Sequence, residues 1–195
     1  MKARSLELGS PRVEVITADF SQPEVPKVLV DQVIALYPRV DIVVLNHAAM
    51  PLGAWLAFEK FQLAEYVQNT FQINTLSYIQ LARHFMPHLE ASSGHFMITS
   101  SVAGECPTFE AGLYTSTKFA LNGFFYSLQQ ELLARRSTVT LTVVSFGMIV
   151  TEEMNTVLST DNFIDQIPAF FKGKSHKPDF TRLSYKLILL QDYQL

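Results

Sequence analysis

Residues 96–125 read FMITSSVAGECPTFEAGLYTSTKFALNGFF. The apolar run Phe96-Met97-Ile98 ends in the hydroxyl pair Ser100-Ser101, and a loop bearing Gly104 and Pro107 leads to Tyr114, Lys118 and a helical apolar pattern. The order is strand, loop, helix. With the helix starting near Ala111, Tyr114 and Lys118 stand at i and i+4 on one face, so the ammonium lies beside the phenol. A phenol ionises near ~10 and is a poor base at neutral pH unless a nearby positive charge favours the phenolate. Lowering that value by about three units takes about 4 kcal/mol, within reach of one close cation in a partly dehydrated pocket plus a charged cofactor. Ser101 is then placed to hydrogen-bond a reacting oxygen. Tyr114 is the one tyrosine of seven with a lysine at i+4. The plain alternative is a polar pair on an amphipathic helix, and it is the strand-borne Ser101, thirteen residues earlier, that argues against it.

Working outward, the rest of the chain alternates strand and helix. Met1 to Leu8 reads as a helix end, stopped by Gly9 with Pro11 beyond. Arg12 to Thr17 alternates Val13 and Val15 with polar neighbours, the pattern of a strand. Pro23 and Pro26 lead into a helix over Lys27 to Tyr37. Asp41 to Leu45 is a continuous apolar run, as in a strand buried on both faces, and it ends in Asn46-His47-Ala48-Ala49. After a loop with Pro51, Gly53 and Trp55, Leu63 to Leu89 forms one long helix or two, broken near Pro87, with Asn74 in its middle. A third strand is expected over His95 to Thr99, a helix over Ala111 to Arg135, and a fourth strand over Thr138 to Ser145. Such alternation indicates an α/β doubly wound parallel sheet. One domain, 1–195, is expected, with 152–195 as a less regular tail whose last residues read as strand or helix.

At 195 residues, 48% hydrophobic, the chain can bury one sizeable core. A net charge of -3 with dispersed lysines and arginines gives no basic stripe, so no nucleic-acid partner is expected. The single cysteine, Cys106, excludes an intrachain disulfide and fits a reducing compartment. No apolar run approaches the ~18 residues of a membrane span, and MKARSLELGS lacks a signal-peptide core. The expectation is a soluble, cytoplasmic chain. His84 and His88 have metal-ligand spacing but no third ligand at an interpretable distance, and Gly-x-Ser-x-Gly is absent, which sets aside a serine hydrolase.

Taken together, these residues resemble the short-chain dehydrogenase/reductase family, whose signature is a serine followed by Tyr-x-x-x-Lys. Asn46-His47-Ala48-Ala49 resembles its Asn-Asn-Ala-Gly turn, Asn74 its catalytic asparagine, and Phe146-Gly147-Met148-Ile149-Val150-Thr151 its Pro-Gly-x-x-x-Thr segment. Within the family, Tyr-Thr-Ser-Thr-Lys-Phe-Ala-Leu-Asn-Gly-Phe-Phe and Leu-Asn-His are most similar to the 11-beta-hydroxysteroid dehydrogenase branch. The resemblance implies a Rossmann-like sheet and an NADP(H)-dependent oxidoreductase acting on a lipophilic alcohol or ketone, with NAD(H) not excluded. It implies Tyr114 as general acid/base, Lys118 on the cofactor ribose and lowering the Tyr114 pKa, Ser101 orienting the carbonyl, and Asn74 anchoring a relay water. Asp19, Asn46, Ala48, Ile149 and Thr151 are the further cofactor-binding residues it implies. It also implies a homodimer through the helices around Asn74 and Tyr114, with Phe119, Leu121, Phe124, Phe125 and Leu128 as an apolar surplus.

One departure is large. The family begins with a strand and a Gly-x-x-x-Gly-x-Gly turn that grips the pyrophosphate at a helix N-terminus. The eight glycines of this chain, at 9, 53, 94, 104, 112, 123, 147 and 173, show no such spacing. The expected sheet is therefore incomplete at the N-terminus, its first two strands absent, with the strands at Arg12 and Asp41 about 14 Å apart. NADP(H) is expected to bind this chain weakly or not at all. A longer form with an N-terminal anchor would sit at the endoplasmic reticulum membrane. The competing reading is a catalytically impaired chain that serves as a dimerisation or interaction remnant.

Overall fold

A computed structural model of the chain describes residues 7, 9, 12–49, 63–108 and 111–147. Three strands, β1 (Ile42–Leu45), β2 (His95–Ser101) and β3 (Thr140–Phe146), form one parallel sheet in that order. The register pairs Val43 with Phe96 and Leu45 with Ile98, and β3 follows with Leu141 beside Phe96 and Val143 beside Ile98. Parallel neighbours need long crossovers, and helices supply them here. Helix α1 (Val25–Leu36) precedes β1; α2 (Leu63–Phe71), a π-helical turn (Gln72–Leu76) and α3 (Ser77–Ser92) link β1 to β2; α4 (Gly112–Ala134) links β2 to β3.

The core follows from the two periodicities meeting. Along β2 every second residue is buried, so Phe96 and Ile98 share one face with Val43 and Leu45 of β1. Against that face α1 presents Leu29, Val30 and Val33, α3 presents Tyr78, Leu81, Phe85 and Leu89, and α4 presents Leu121 and Phe125. Burying one such side chain is worth about 1.5–3 kcal/mol. At the lower edge Gly94 lets α3 turn directly into β2. A Cβ there would stand 2.6 Å from the Asp41 carbonyl oxygen, so any larger residue would push the two segments apart.

Several expectations need correction. Residues 12–17 pair with no strand among the described residues; alternation signals an extended segment, but a ladder needs a neighbour. Its inward residues are also Ile16, Ala18 and Phe20, whereas Val15 is 63% exposed. Strand β1 is buried on one face, not two, with Ile42 49% exposed among the described residues. Pro87 does not break the helix: α3 runs through it to Ser92, with Pro87 on the exposed face. Of the supposed apolar surplus, Leu121 and Phe125 are fully buried and Phe124 and Leu128 pack on the core, leaving Phe119 at 43% exposure. Among the described residues no helix is long and apolar enough to cross a membrane, and no group of metal ligands forms. The loop around Trp55 and the tail 152–195 lie outside the described residues.

Candidate active site

The carboxyl ends of the parallel strands converge with the start of α4, where open α/β sheets place their ligands. Ser101 is the last residue of β2, and its hydroxyl oxygen accepts the Ala103 N–H at 3.2 Å, which leaves its own proton to donate. Tyr114 and Lys118 lie on the first turns of α4, on the face turned to β2. The Lys118 ammonium, 1% exposed, donates to the Thr99 carbonyl at 3.1 Å and stands 5.7 Å from the ring centroids of both Tyr114 and Tyr78. Helix and strand are thus joined through the lysine itself.

Asn74 sits in the π-helical turn and is fully buried. Its amide clasps the backbone of Ala49: Oδ1 accepts the Ala49 N–H and Nδ2 donates to the Ala49 carbonyl, both at 2.7 Å. The second Nδ2 proton goes to Thr117 Oγ1 at 3.1 Å, and Thr117 in turn donates to the Tyr114 carbonyl at 2.7 Å. Both Nδ2 protons are thus spent and one Oδ1 lone pair is left, so Asn74 fixes the 46–49 turn against α4 and keeps one acceptor site for a water. The π-helical turn is the local device that aims it, since an extra residue in the coil rotates the side chain off the regular helix face.

Electrostatics depart from the sequence reading at Tyr114. Burial pushes its pKa up, a hydrogen bond from Ser101 opposes that rise, and burial wins. Lys118 does not figure among the causes of the shift in the protein alone; its ammonium lies over the ring, 5.7 Å from the centroid, and is itself desolvated. Burial takes the Lys118 pKa down to about 8. His47 is held lower still, at about 3, first by burial and then by the positive Lys118. Its ring stacks on Phe20 at 4.0 Å and tilts against Tyr78 at 4.3 Å, while Nε2 bonds Ser77 Oγ at 2.7 Å. Through Phe20 the stack brings the exposed Asp19 segment to the end of β1; Asp19 caps its own turn by accepting the Ser21 N–H, which lowers its pKa. Asn46 and Ala48 flank His47 in that turn. Ile149 and Thr151 lie outside the described residues.

The short chain dehydrogenase family profile matches residues 2–162, well over half of the chain. The chain belongs to the short-chain dehydrogenase family. A hydroxysteroid 11-beta-dehydrogenase 1-like protein of Bos taurus is 36% identical over 142 residues, 73% of this chain and 48% of that protein. Its Gallus gallus counterpart is 35% identical over 150 residues, 76% of this chain and 50% of that protein. The chain thus spans about half the length of these curated relatives. A metagenomic short-chain oxidoreductase solved with NADP is 25% identical, with TM-score 0.65 over 79% of this chain and 67% of that one. A Streptomyces avermitilis short-chain dehydrogenase has the same fold, at TM-score 0.63 and 24% identity over 73% of this chain and 51% of that one.

Within this short-chain dehydrogenase, sequence reasoning missed the residues that hold the others. Thr117 adjoins Lys118, and Tyr78 lies one helical turn after Asn74, so both were reachable by helical spacing. Lys118 also has a measurable cost. An ammonium buried on one carbonyl, with no carboxylate beside it among the described residues, destabilises the fold at neutral pH. Its lowered pKa means that the unfolded chain keeps the proton longer, so stability rises as pH goes from about 8 to about 10.5. Lys118→Met is expected to stabilise the protein by about 1–3 kcal/mol at pH 7 and to flatten that rise. Urea denaturation at pH 7 and pH 10 checks it; a less stable variant at pH 7 would sink the argument.

Proposed function

We propose that the protein is an NADP(H)-dependent oxidoreductase that interconverts a secondary alcohol and a ketone on a lipophilic substrate. The observation that carries it is the meeting at the end of β2 of Ser101, Tyr114 and a buried Lys118 that has no carboxylate beside it among the described residues. The donor chemistry fits a dinucleotide: among the described residues Lys118 meets one acceptor, so two of its N–H protons remain for ribose hydroxyls. When bound, the nicotinamide supplies or takes the hydride. Tyr114, its phenol protonated at neutral pH, passes its proton to the carbonyl oxygen in reduction and regains it from the alcohol in oxidation. Ser101, whose hydroxyl proton faces Tyr114 in the protein alone, donates it to the same oxygen when substrate is bound. Asn74 and Thr117 keep the turn and α4 in register. The lipophilic substrate and the choice of NADP(H) over NAD(H) rest on similarity to the hydroxysteroid dehydrogenase-like relatives and the NADP-bound neighbour. Turnover of a panel of lipophilic ketones with NADPH and with NADH, in a form that carries the family's glycine-rich unit, tests the reading. No turnover with either cofactor would overturn it.

A second reading, a chain kept for self-association, is favoured by the exposure of Leu76 at 46% and Phe119 at 43% on the elements that carry Asn74 and Lys118. A homodimer through these helices is compatible with either reading. Size-exclusion with light scattering is expected to give twice the monomer mass at tens of micromolar, and a clean monomer would count against it.

A further inference from the structure

A second polar cluster lies behind the site, and none of its members takes part in the chemistry proposed above. Ser100, 3% exposed, points to the opposite side of β2 from Ser101 and donates its hydroxyl proton to Asn122 Oδ1 at 2.5 Å. Asn122, also 3% exposed, spends both amide protons on the loop after β2: one goes to the Gly104 carbonyl and one to Glu105 Oε1, each at 3.0 Å. The same Glu105 oxygen accepts the Tyr126 hydroxyl at 2.7 Å and the Ser145 hydroxyl at 2.9 Å. One carboxylate oxygen therefore gathers donors from α4 and from β3, while Asn122 ties α4 to β2 and to the loop. The seam is close-packed: a Cβ on Gly104 would stand 2.6 Å from Asn122 Nδ2 and 2.9 Å from the Lys118 carbonyl oxygen.

The placement matters because it brackets the site. Ser100 adjoins Ser101, Gly104 and Glu105 follow it at once, and Asn122 lies one turn beyond Lys118 and two beyond Tyr114. Whatever sets Ser100 against Asn122 also sets Ser101 against Tyr114. We infer that Asn122 and Glu105 are positioning residues, which hold the Ser101 hydroxyl on Tyr114 by clamping the end of β2 and its loop to α4. A satisfied buried network fixes one geometry, whereas a half-satisfied one lets the loop drift. The inference rests on the proposed roles of Ser101 and Tyr114, but its test needs neither cofactor nor substrate.

The readout is the titration of 3-fluorotyrosine at position 114, followed by 19F NMR in the full chain, with melting temperature measured beside it. Among the described residues the groups facing Tyr114 are Ser101, Lys118 and Tyr78. Glu105→Ala removes an exposed carboxylate and Asn122→Leu removes a buried amide of similar size; both are expected to lower the melting temperature. Both are also expected to move the Tyr114 midpoint upward by about half a pH unit, since the phenolate loses the Ser101 hydrogen bond. The sign decides the cause. A direct field effect of the carboxylate would work the other way, because removing a negative charge makes a phenol easier to ionise. Glu105→Gln keeps an acceptor oxygen at the same place and is expected to leave the midpoint where it was. An unmoved or lowered midpoint in Glu105→Ala overturns the inference, as does a Glu105→Gln midpoint raised as far as that of Glu105→Ala. Should Asn122→Leu fail to fold, the two Glu105 variants still decide. An absence of turnover in the unsubstituted protein would overturn the proposed function and leave the titration result standing.

Discussion

Replacing Tyr114 with Phe is expected to cut turnover about a thousandfold, within the range for removing a positioned proton donor. The substitution keeps the ring and deletes one hydroxyl, so the contact of the Lys118 ammonium with the ring face, at 5.7 Å from its centroid, survives. Stability should therefore change little, and the loss should fall on kcat more than on KM, because the proton moves only in the transition state. The raised Tyr114 pKa sharpens the expectation in one direction. A phenol that holds its proton at neutral pH is ready to donate, so the proposed ketone reduction would depend on it directly. Ser101→Ala should cost less, about ten- to a hundredfold, since it removes a hydrogen bond to the oxygen and not the proton itself. Turnover of the best ketone substrate by both variants settles the order; activity of Tyr114→Phe within about tenfold of the parent would rule out the assigned role.

How far the sequence carried this picture can be judged residue by residue. The strand, loop and helix around Ser101, Tyr114 and Lys118 were readable because local signals agree there: an apolar run, a Gly/Pro loop, then helical spacing. Strands β2 and β3 were placed to within two residues for the same reason. The misreadings share a cause, which is that they depend on partners distant in the chain. Alternation over residues 12–17 tells nothing about whether a neighbouring strand exists. Pro87 signals a break by its ring and missing N–H, yet the helix continues through it with Pro87 on the exposed face, and that face is set by packing. The Tyr114 pKa turned on burial, a property of the packed helix pair and not of the Tyr-x-x-x-Lys spacing. The Asn122 and Glu105 network left almost no local signal, since a polar residue on a helix reads as solvent-facing until the helix is docked.

The protein is expected to lose stability steeply between pH 6.5 and pH 4.5, and His47 is the reason. Its ring lies between Phe20 and Tyr78 and near the buried Lys118, so protonation would put a second positive charge into a site that already holds one. The folded-state pKa of about 3 lies below the ordinary value of 6.5. As pH falls through 6.5 the unfolded chain takes up a proton that the folded chain refuses, so each pH unit costs about 1.4 kcal/mol until the folded pKa is reached. By pH 4.5 the loss is about 2.7 kcal/mol, a large part of the stability of a small domain. The neighbouring shifted groups leave that window clear. Asp19, whose pKa is lowered from 3.8, acts below it, and Lys118 at about 8 is charged in both states throughout it. His47→Gln gives a neutral amide that can still reach Ser77 Oγ, at the cost of the stack with Phe20 and Tyr78. That variant should be about 1 kcal/mol less stable at pH 7.5 yet lose about 2–3 kcal/mol less on going to pH 4.5, so the two stability curves should cross. Lys118→Met supplies an independent check: with the neighbouring charge gone, the His47 pKa rises and the acid loss shrinks, though burial, the larger cause, keeps most of it. Urea denaturation of the three proteins at pH 7.5, 5.5 and 4.5 measures all of this. Parallel curves for the parent and His47→Gln would show that the acid sensitivity, if any, arises elsewhere.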